Sequence, residues 1–252
     1  MAFGSAATRL ACAVALGLFI QAEPQRLSAQ QSLTGGTVAW SLTPPTRRAP
    51  EATPGPPPSV PAAAEAIKPL TVTAVVRRRS THGRTESSRQ TITRTPNRIH
   101  IAASDGREWW FERNPIDPRR VSALLVEHSA RVIVLYAESD LRMRLGIRGW
   151  ADVLAPGVDI DVLRSYERPG QARTVSGIRF ERYAERTRDA SLTDVWWSDD
   201  QLMASGFTLK DDQGSTRFAI ERVRNGADAA LLALPETRYP QYRVVDLANW
   251  SD

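Results

Sequence analysis

The stretch Asp140–Leu154, DLRMRLGIRGWADVL, decides how the chain folds. Met143, Ile147, Trp150 and Leu154 recur at spacings of four, three and four, the period of a helix that lays one apolar stripe against a core. Leu141 and Leu145 widen that stripe, and Arg142, Arg144, Arg148 and Asp152 fill much of the rest. Ser139 is a suitable cap, and Asp140 in the first turn complements the helix dipole. Ala155-Pro156-Gly157 ends the run. The spacing therefore predicts an amphipathic helix over 140–154. Gly146 and Gly149 each weaken it by up to about 1 kcal/mol relative to alanine, which invites a bend or a close packing there. A second, shorter helix is expected over Ile160–Ser165.

On either side the period drops to two. Leu70–Arg78, Arg89–Thr95, Arg98–Ala102, Arg107–Arg113, Val121–Glu127 and Arg131–Tyr136 read as strands rich in β-branched and aromatic residues. Turn residues separate them: Pro96-Asn97, Asp105-Gly106, Asn114-Pro115 and Asp117-Pro118. After the helix, strands are expected over Arg173–Tyr183, Leu192–Ser198, Phe207–Lys210 and Thr216–Arg224, with a closing strand or short helix in the last residues. Consecutive strands with short connections form an antiparallel meander. One face of such a sheet must be buried, and a single strong helix is available to bury it. The fold class expected is mainly β with a helical insert (α+β): a curled antiparallel sheet, or open half-barrel, enclosing an amphipathic helix.

Domain limits follow from composition. Residues 1–29 read as a signal peptide: a short start with Arg9, the apolar run Leu10–Ile20, and Ala22 or Ala29 as exit points. That run is too short to span a bilayer. Residues 30–68 form a proline-rich spacer, with Pro44, Pro45, Pro50, Pro54, Pro56, Pro57, Pro58 and Pro61 among small residues, a composition that cannot bury a core. Residues 69–252 form one β-rich domain. The single cysteine, Cys12, lies in the apolar run, so the domain has no thiol for catalysis, metal binding or disulfides. The expected compartment is the periplasm.

The formal charge of the chain is +5, and only Lys68 and Lys210 of its 33 basic residues are lysines. This excess is too small for a nucleic-acid footprint. Arg77-Arg78-Arg79, with Arg84 and Arg89, makes a basic hairpin end compatible with peripheral membrane contact or with a solvated loop. His82, His100 and His128 show no metal-ligand spacing, and no nucleophile elbow, zinc-protease motif or phosphate loop is present. Glu108 and Glu112 share one face of a strand with Trp110, which suits ion pairs with arginines on neighbouring strands such as Arg131. The expectation is a chain with no catalytic residues, no metal and no cofactor.

Tryptophans carry the clearest binding signal. Trp109-Trp110 and Trp196-Trp197 are adjacent pairs within strands, so one member of each must point away from the core. It rests either on a ligand or beneath loops and the C-terminal segment.

The order of elements, and the stretch Thr193–Asp200 (TDVWWSDD), in which a tryptophan-bearing strand leads into an acidic turn, resemble the LolA/LolB/LppX-like superfamily of periplasmic lipoprotein carriers. A strand pair and Leu234-Pro235 later in the chain are similar as well. The chain departs from that pattern in its proline-rich spacer and in its REWWFER strand and LGIRGW helix. The resemblance implies a non-enzymatic protein that binds an apolar or lipidated ligand. Strand parity then gives Trp109, Phe111, Phe180, Trp196, Phe207 and Phe218 as lining, with Met143, Ile147, Trp150 and Leu154 on a lid helix. The alternative is a structural or sensory envelope module that binds a protein partner through edge strands and aromatic surface.

Overall fold

The computed structural model describes residues 67–117, 120–185 and 191–250. The expected signal peptide and residues 30–66 of the spacer lie outside the described residues. Six strands come first: β1 (Leu70–Ser80), β2 (Thr85–Arg94), β3 (Arg98–Ala103), β4 (Arg107–Arg113), β5 (Val121–Glu127) and β6 (Val132–Tyr136). The helical insert follows as α1 (Glu138–Leu145), α2 (Trp150–Leu154) and α3 (Ile160–Leu163). Then come β7 (Ala172–Val175), β8 (Ile178–Tyr183), β9 (Leu192–Ser198), β10 (Met203–Asp211) and β11 (Gly214–Asn225). The chain closes with α4 (Pro235–Arg238), β12 (Arg243–Asp246) and a 3₁₀ turn (Leu247–Asn249).

Among the described residues the twelve strands form one sheet in the order β12-β6-β5-β4-β3-β2-β1-β11-β10-β9-β8-β7. Neighbours are antiparallel except β12, which runs parallel to β6. The ends β12 and β7 do not pair, so the sheet is an open half-barrel. It is strongly curled: Leu247 near one end, Trp109 in the middle and Tyr183 near the other belong to one buried cluster. Leu141, Ile147, Trp150 and Leu154 of the insert join that cluster, which identifies the inner face. On β1, Val72, Ala74 and Val76 alternate into it, as a half-buried strand requires. Ile67 is buried there too.

Two sequence expectations need correction. The helix over 140–154 is not continuous. Gly146 adopts a left-handed conformation (φ 67°) and its N–H bonds back to Leu141 O, a C-terminal stop that only glycine takes without penalty. Asp152 then opens α2 by accepting from the N–H groups of Arg148 and Gly149 at 2.7 and 3.1 Å. The break resets the phase of the apolar stripe. Leu141 is the buried residue of α1, at 1 % exposure, while Met143 is 71 % exposed and takes no part in the core. The second correction concerns Arg173–Tyr183. It is not one strand but the hairpin β7–β8, turning at Ser176-Gly177, both at positive φ.

Candidate binding site

The insert meets the sheet along a seam centred on Arg94. Alternation on β2 turns Ile92 and Arg94 inward, and the turn at Thr95-Pro96-Asn97 ends the strand directly after it. Arg94 is 3 % exposed. Its Nη1 donates to Leu154 O on α2 and to Leu202 O in the β9–β10 turn, each at 3.4 Å, and its Nη2 donates to Gln201 O. Its Nε has no partner. Among the described residues no carboxylate pairs with this cation, and burial alone pulls its pKa down to about 10. A buried charge ordinarily has a paired counter-charge. Among the described residues three backbone carbonyls are the compensation.

Beside the guanidinium lies a cavity of about 30 Å³ walled by Val72, Ile92, Ile99, Leu154, Met203 and Phe218. That is room for about one or two waters, against roughly 300–1,000 Å³ for ligand pockets. Beside Arg94 the seam therefore leaves no room for an acyl chain in this conformation. Side chains of the insert supply the filling. At Gly157 (φ 77°) the chain passes so close to the inner face that an added Cβ would lie 2.6 Å from Phe207 Cζ.

The aromatic residues singled out from the sequence occupy this same interior in two pairs. Trp109 stacks on Phe111 with centroids 5.7 Å apart, and Phe207 on Phe218 at 5.0 Å. Phe180 is fully buried in the same cluster. Of these residues Phe218 borders the cavity. Trp196 is placed differently from the parity expectation. It is half-buried, with the Arg173 guanidinium 4.5 Å from its ring centroid, and Trp197 is the fully buried member of the pair. The cause is irregularity in β9 and β10: Asp194 has positive φ, and the β9–β10 register shifts on both sides of Gly206. Trp197 Nε1 donates to Asp199 at 2.9 Å, and the Tyr183 hydroxyl donates to the same carboxylate at 3.2 Å. This gives a physical reason for the acidic turn after the tryptophan strand.

The outer face carries a polar cluster that sequence spacing did not reveal. Trp110, the outward member of its pair, lies in a small apolar patch with Val126 and Ile133, covered by Tyr239 and Tyr242 of the C-terminal segment. Cover by that segment, not an exposed binding surface, is therefore the explanation for Trp110. Glu108 sits at the centre. Its Oε2 accepts from His100 Nε2 at 2.9 Å and from Arg238 at 3.3 Å. Its Oε1 accepts from His128 Nε2 and from the Tyr239 hydroxyl, both at 2.9 Å. Burial pushes this carboxyl up, but the three hydrogen bonds from His100, His128 and Tyr239 outweigh it and hold the pKa at about 2. Burial, followed by Glu108 itself, pushes Tyr239 up to about 12. Glu112 pairs with Arg98 at 2.6 Å, where Arg131 was expected. The contributing residues are remote in sequence: the β3–β4 and β4–β5 registers bring His100 and His128 to Glu108, and the C-terminal segment brings Arg238 and Tyr239. Among the described residues no group of three or more His, Cys, Asp or Glu is placed to hold a metal ion. No described helix is long and apolar enough to cross a membrane.

No protein-family model matches the chain, and no curated protein matches it. Among solved structures it is similar to PNGF-II, at 10 % identity and a TM-score of 0.38 over 71 % of this chain and 31 % of that one. The chain thus spans about a third of the PNGF-II chain it matches. It is also similar to a LolA superfamily protein from Nitrosomonas europaea (8 % identity, TM-score 0.34, 70 % of this chain and 93 % of that one). A third is a DUF1329 family protein from Desulfovibrio piger (10 % identity, TM-score 0.34, 71 % and 92 %).

Proposed function

We propose that the chain is a non-enzymatic, exported periplasmic protein that binds an apolar or lipidated ligand between the inner face of its curled sheet and the insert α1–α3. One observation carries this reading. Among the described residues 137–166, every backbone–backbone hydrogen bond is internal to the insert, and none joins it to a strand. The insert can lift without breaking a sheet ladder. Lifting exposes Leu141, Ile147, Trp150, Val153 and Leu154, each worth about 1.5–3 kcal/mol of burial. It also uncovers Phe207, Phe218 and the apolar wall beneath. An acyl chain entering the seam re-buries that wall and so offsets much of the cost. Trp109, Phe111 and Phe180 form the rest of the proposed lining, with Ile147, Trp150 and Leu154 on the lid.

The reading is tested with a brominated sixteen-carbon alcohol, whose bromine quenches nearby tryptophan. Trp150 sits on the lid and Trp109 in the interior, so saturable quenching is expected, weakened in Trp150→Phe. Absence of quenching, together with bare protein in native mass spectrometry, refutes it.

A further inference from the structure

We infer that the ligand carries a negatively charged head, carboxylate or phosphate, and that Arg94 receives it; this rests on the reading of the seam as the binding site. Three features of Arg94 converge. It is buried in the seam, it borders the apolar cavity, and it has no carboxylate partner among the described residues. Its Nε is a buried donor with nothing to bond. Guanidinium is a planar fork of donors that matches two oxygens of a carboxylate or phosphate at once. The carbonyls of Leu154, Gln201 and Leu202 stand in for such an acceptor but bring no charge. A neutral ligand would leave the cation as it is. An anionic head would neutralise it.

The same bonds couple binding to opening. Leu154 O belongs to α2, so an anion that takes Nη1 away from it removes a hydrogen bond that holds the lid. The head and the lid compete for one guanidinium. The chain behind the head would follow the wall made by Val72, Ile92, Ile99 and Phe218. The cavity as it stands holds no chain, so head binding and lid displacement occur together.

The experiment compares palmitate, hexadecyl phosphate and hexadecanol on the delipidated full chain and on Arg94→Met and Arg94→Lys. The wild type is expected to bind at least one of the two anions tenfold or more tightly than the alcohol, and the better of the two identifies the head. Arg94→Met is expected to bind all three within about twofold of one another. Arg94→Lys is expected to retain part of the preference, because charge remains and the fork is lost. The inference is overturned if the wild type binds hexadecanol as tightly as both anions, or if the preference survives in Arg94→Met. It is also overturned if acetate or inorganic phosphate binds as tightly as the long-chain forms, since the chain then plays no part. Should none of the three long-chain compounds bind, the proposed function falls and this inference with it. Should Arg94→Met fail to fold, the wild-type comparison and Arg94→Lys decide.

Discussion

Gly157→Ala tests how firmly the insert sits on the sheet. Two costs add at this position. Alanine at φ 77° carries the left-handed penalty, about 1–2 kcal/mol. Its methyl group would also lie 2.6 Å from Phe207 Cζ. That ring is stacked on Phe218 at 5.0 Å and buried, so it cannot swing away freely. Overpacking of this kind costs about 1–3 kcal/mol. The sum, about 2–5 kcal/mol, corresponds to a shift of about thirtyfold to a few thousandfold in the equilibrium between seated and lifted insert. Native-state hydrogen exchange reads it directly. Amides of residues 138–163 should exchange at least about thirtyfold faster, while those of β3–β5 keep their wild-type rates. Adding Phe207→Leu, which removes the far end of the ring, should return the steric part and leave the backbone part, a coupling of about 1–3 kcal/mol in a double-mutant cycle. Unchanged exchange would refute the packing argument. Uniform acceleration across sheet and insert would refute the idea that the insert opens on its own.

Three further outcomes are expected. Glu108→Gln should cost about 1.5–3 kcal/mol at neutral pH through lost charge-assisted hydrogen bonds. The Glu108 carboxyl titrates at about 2 in the fold against an ordinary 4.5, so the stabilisation is complete above pH 4.5 and fades as pH falls toward 2. Urea melts over that window should show a steep acid limb in the wild type and a flatter one in the variant; parallel limbs would contradict the assignment. Leu141→Ala should destabilise the insert by about 2–5 kcal/mol, whereas Met143→Lys should stay within about 0.5 kcal/mol of wild type. Comparable losses at both positions, measured by the same hydrogen exchange, would restore the continuous helix. Trp197→Phe should lose about 1 kcal/mol from the hydrogen bond to Asp199, and no change in the urea midpoint would show that this bond is inert.

The legible parts of the sequence were those governed by local periodicity. Arg107–Arg113 and Val121–Glu127 appear as strands with the expected ends because alternation and flanking turn residues specify them together. The insert was legible as an apolar helical stretch, but not its break, because the choice between a tolerated glycine and a left-handed stop at Gly146 depends on what Leu141 and Ile147 find to pack against. Parity resolved Trp109 from Trp110 on the regular strand β4 and failed for Trp196 and Trp197, where irregular pairing between β9 and β10 alters the alternation. Arg94 looked like one basic residue among many in the second strand; its isolation from carboxylates is a property of the packed fold. The cluster around Glu108 was hidden for the same reason. His100, His128 and Tyr239 come from three separate segments, and no spacing rule links them.

The two faces of β4 also bear on which part of the molecule is free to move. Outward, Trp110 and Glu108 are tied to the C-terminal segment by Tyr239, Arg238 and, through His128, by Tyr242. That segment then continues into β12, whose ladder with β6 fixes it to the sheet. Releasing it would break strand pairing and strip a carboxylate of its partners, losing several hydrogen bonds to a charge at once. Inward, Trp109 faces the buried cluster that the insert completes, and the insert has no ladder to break. Its ties include apolar contacts, the Arg94 bond to Leu154, the Tyr166 hydroxyl donated to Leu192 O at 2.6 Å, and the ion pair from Arg120 to Glu138 at 2.7 Å. Arg120 is well exposed, and solvent screens an exposed pair of this kind, so it holds the insert only weakly. Of the two coverings on the sheet, the outer is held by directional bonds that an apolar ligand cannot replace. The inner is held by apolar burial that such a ligand can replace. Opening on the inner side alone is the motion consistent with both.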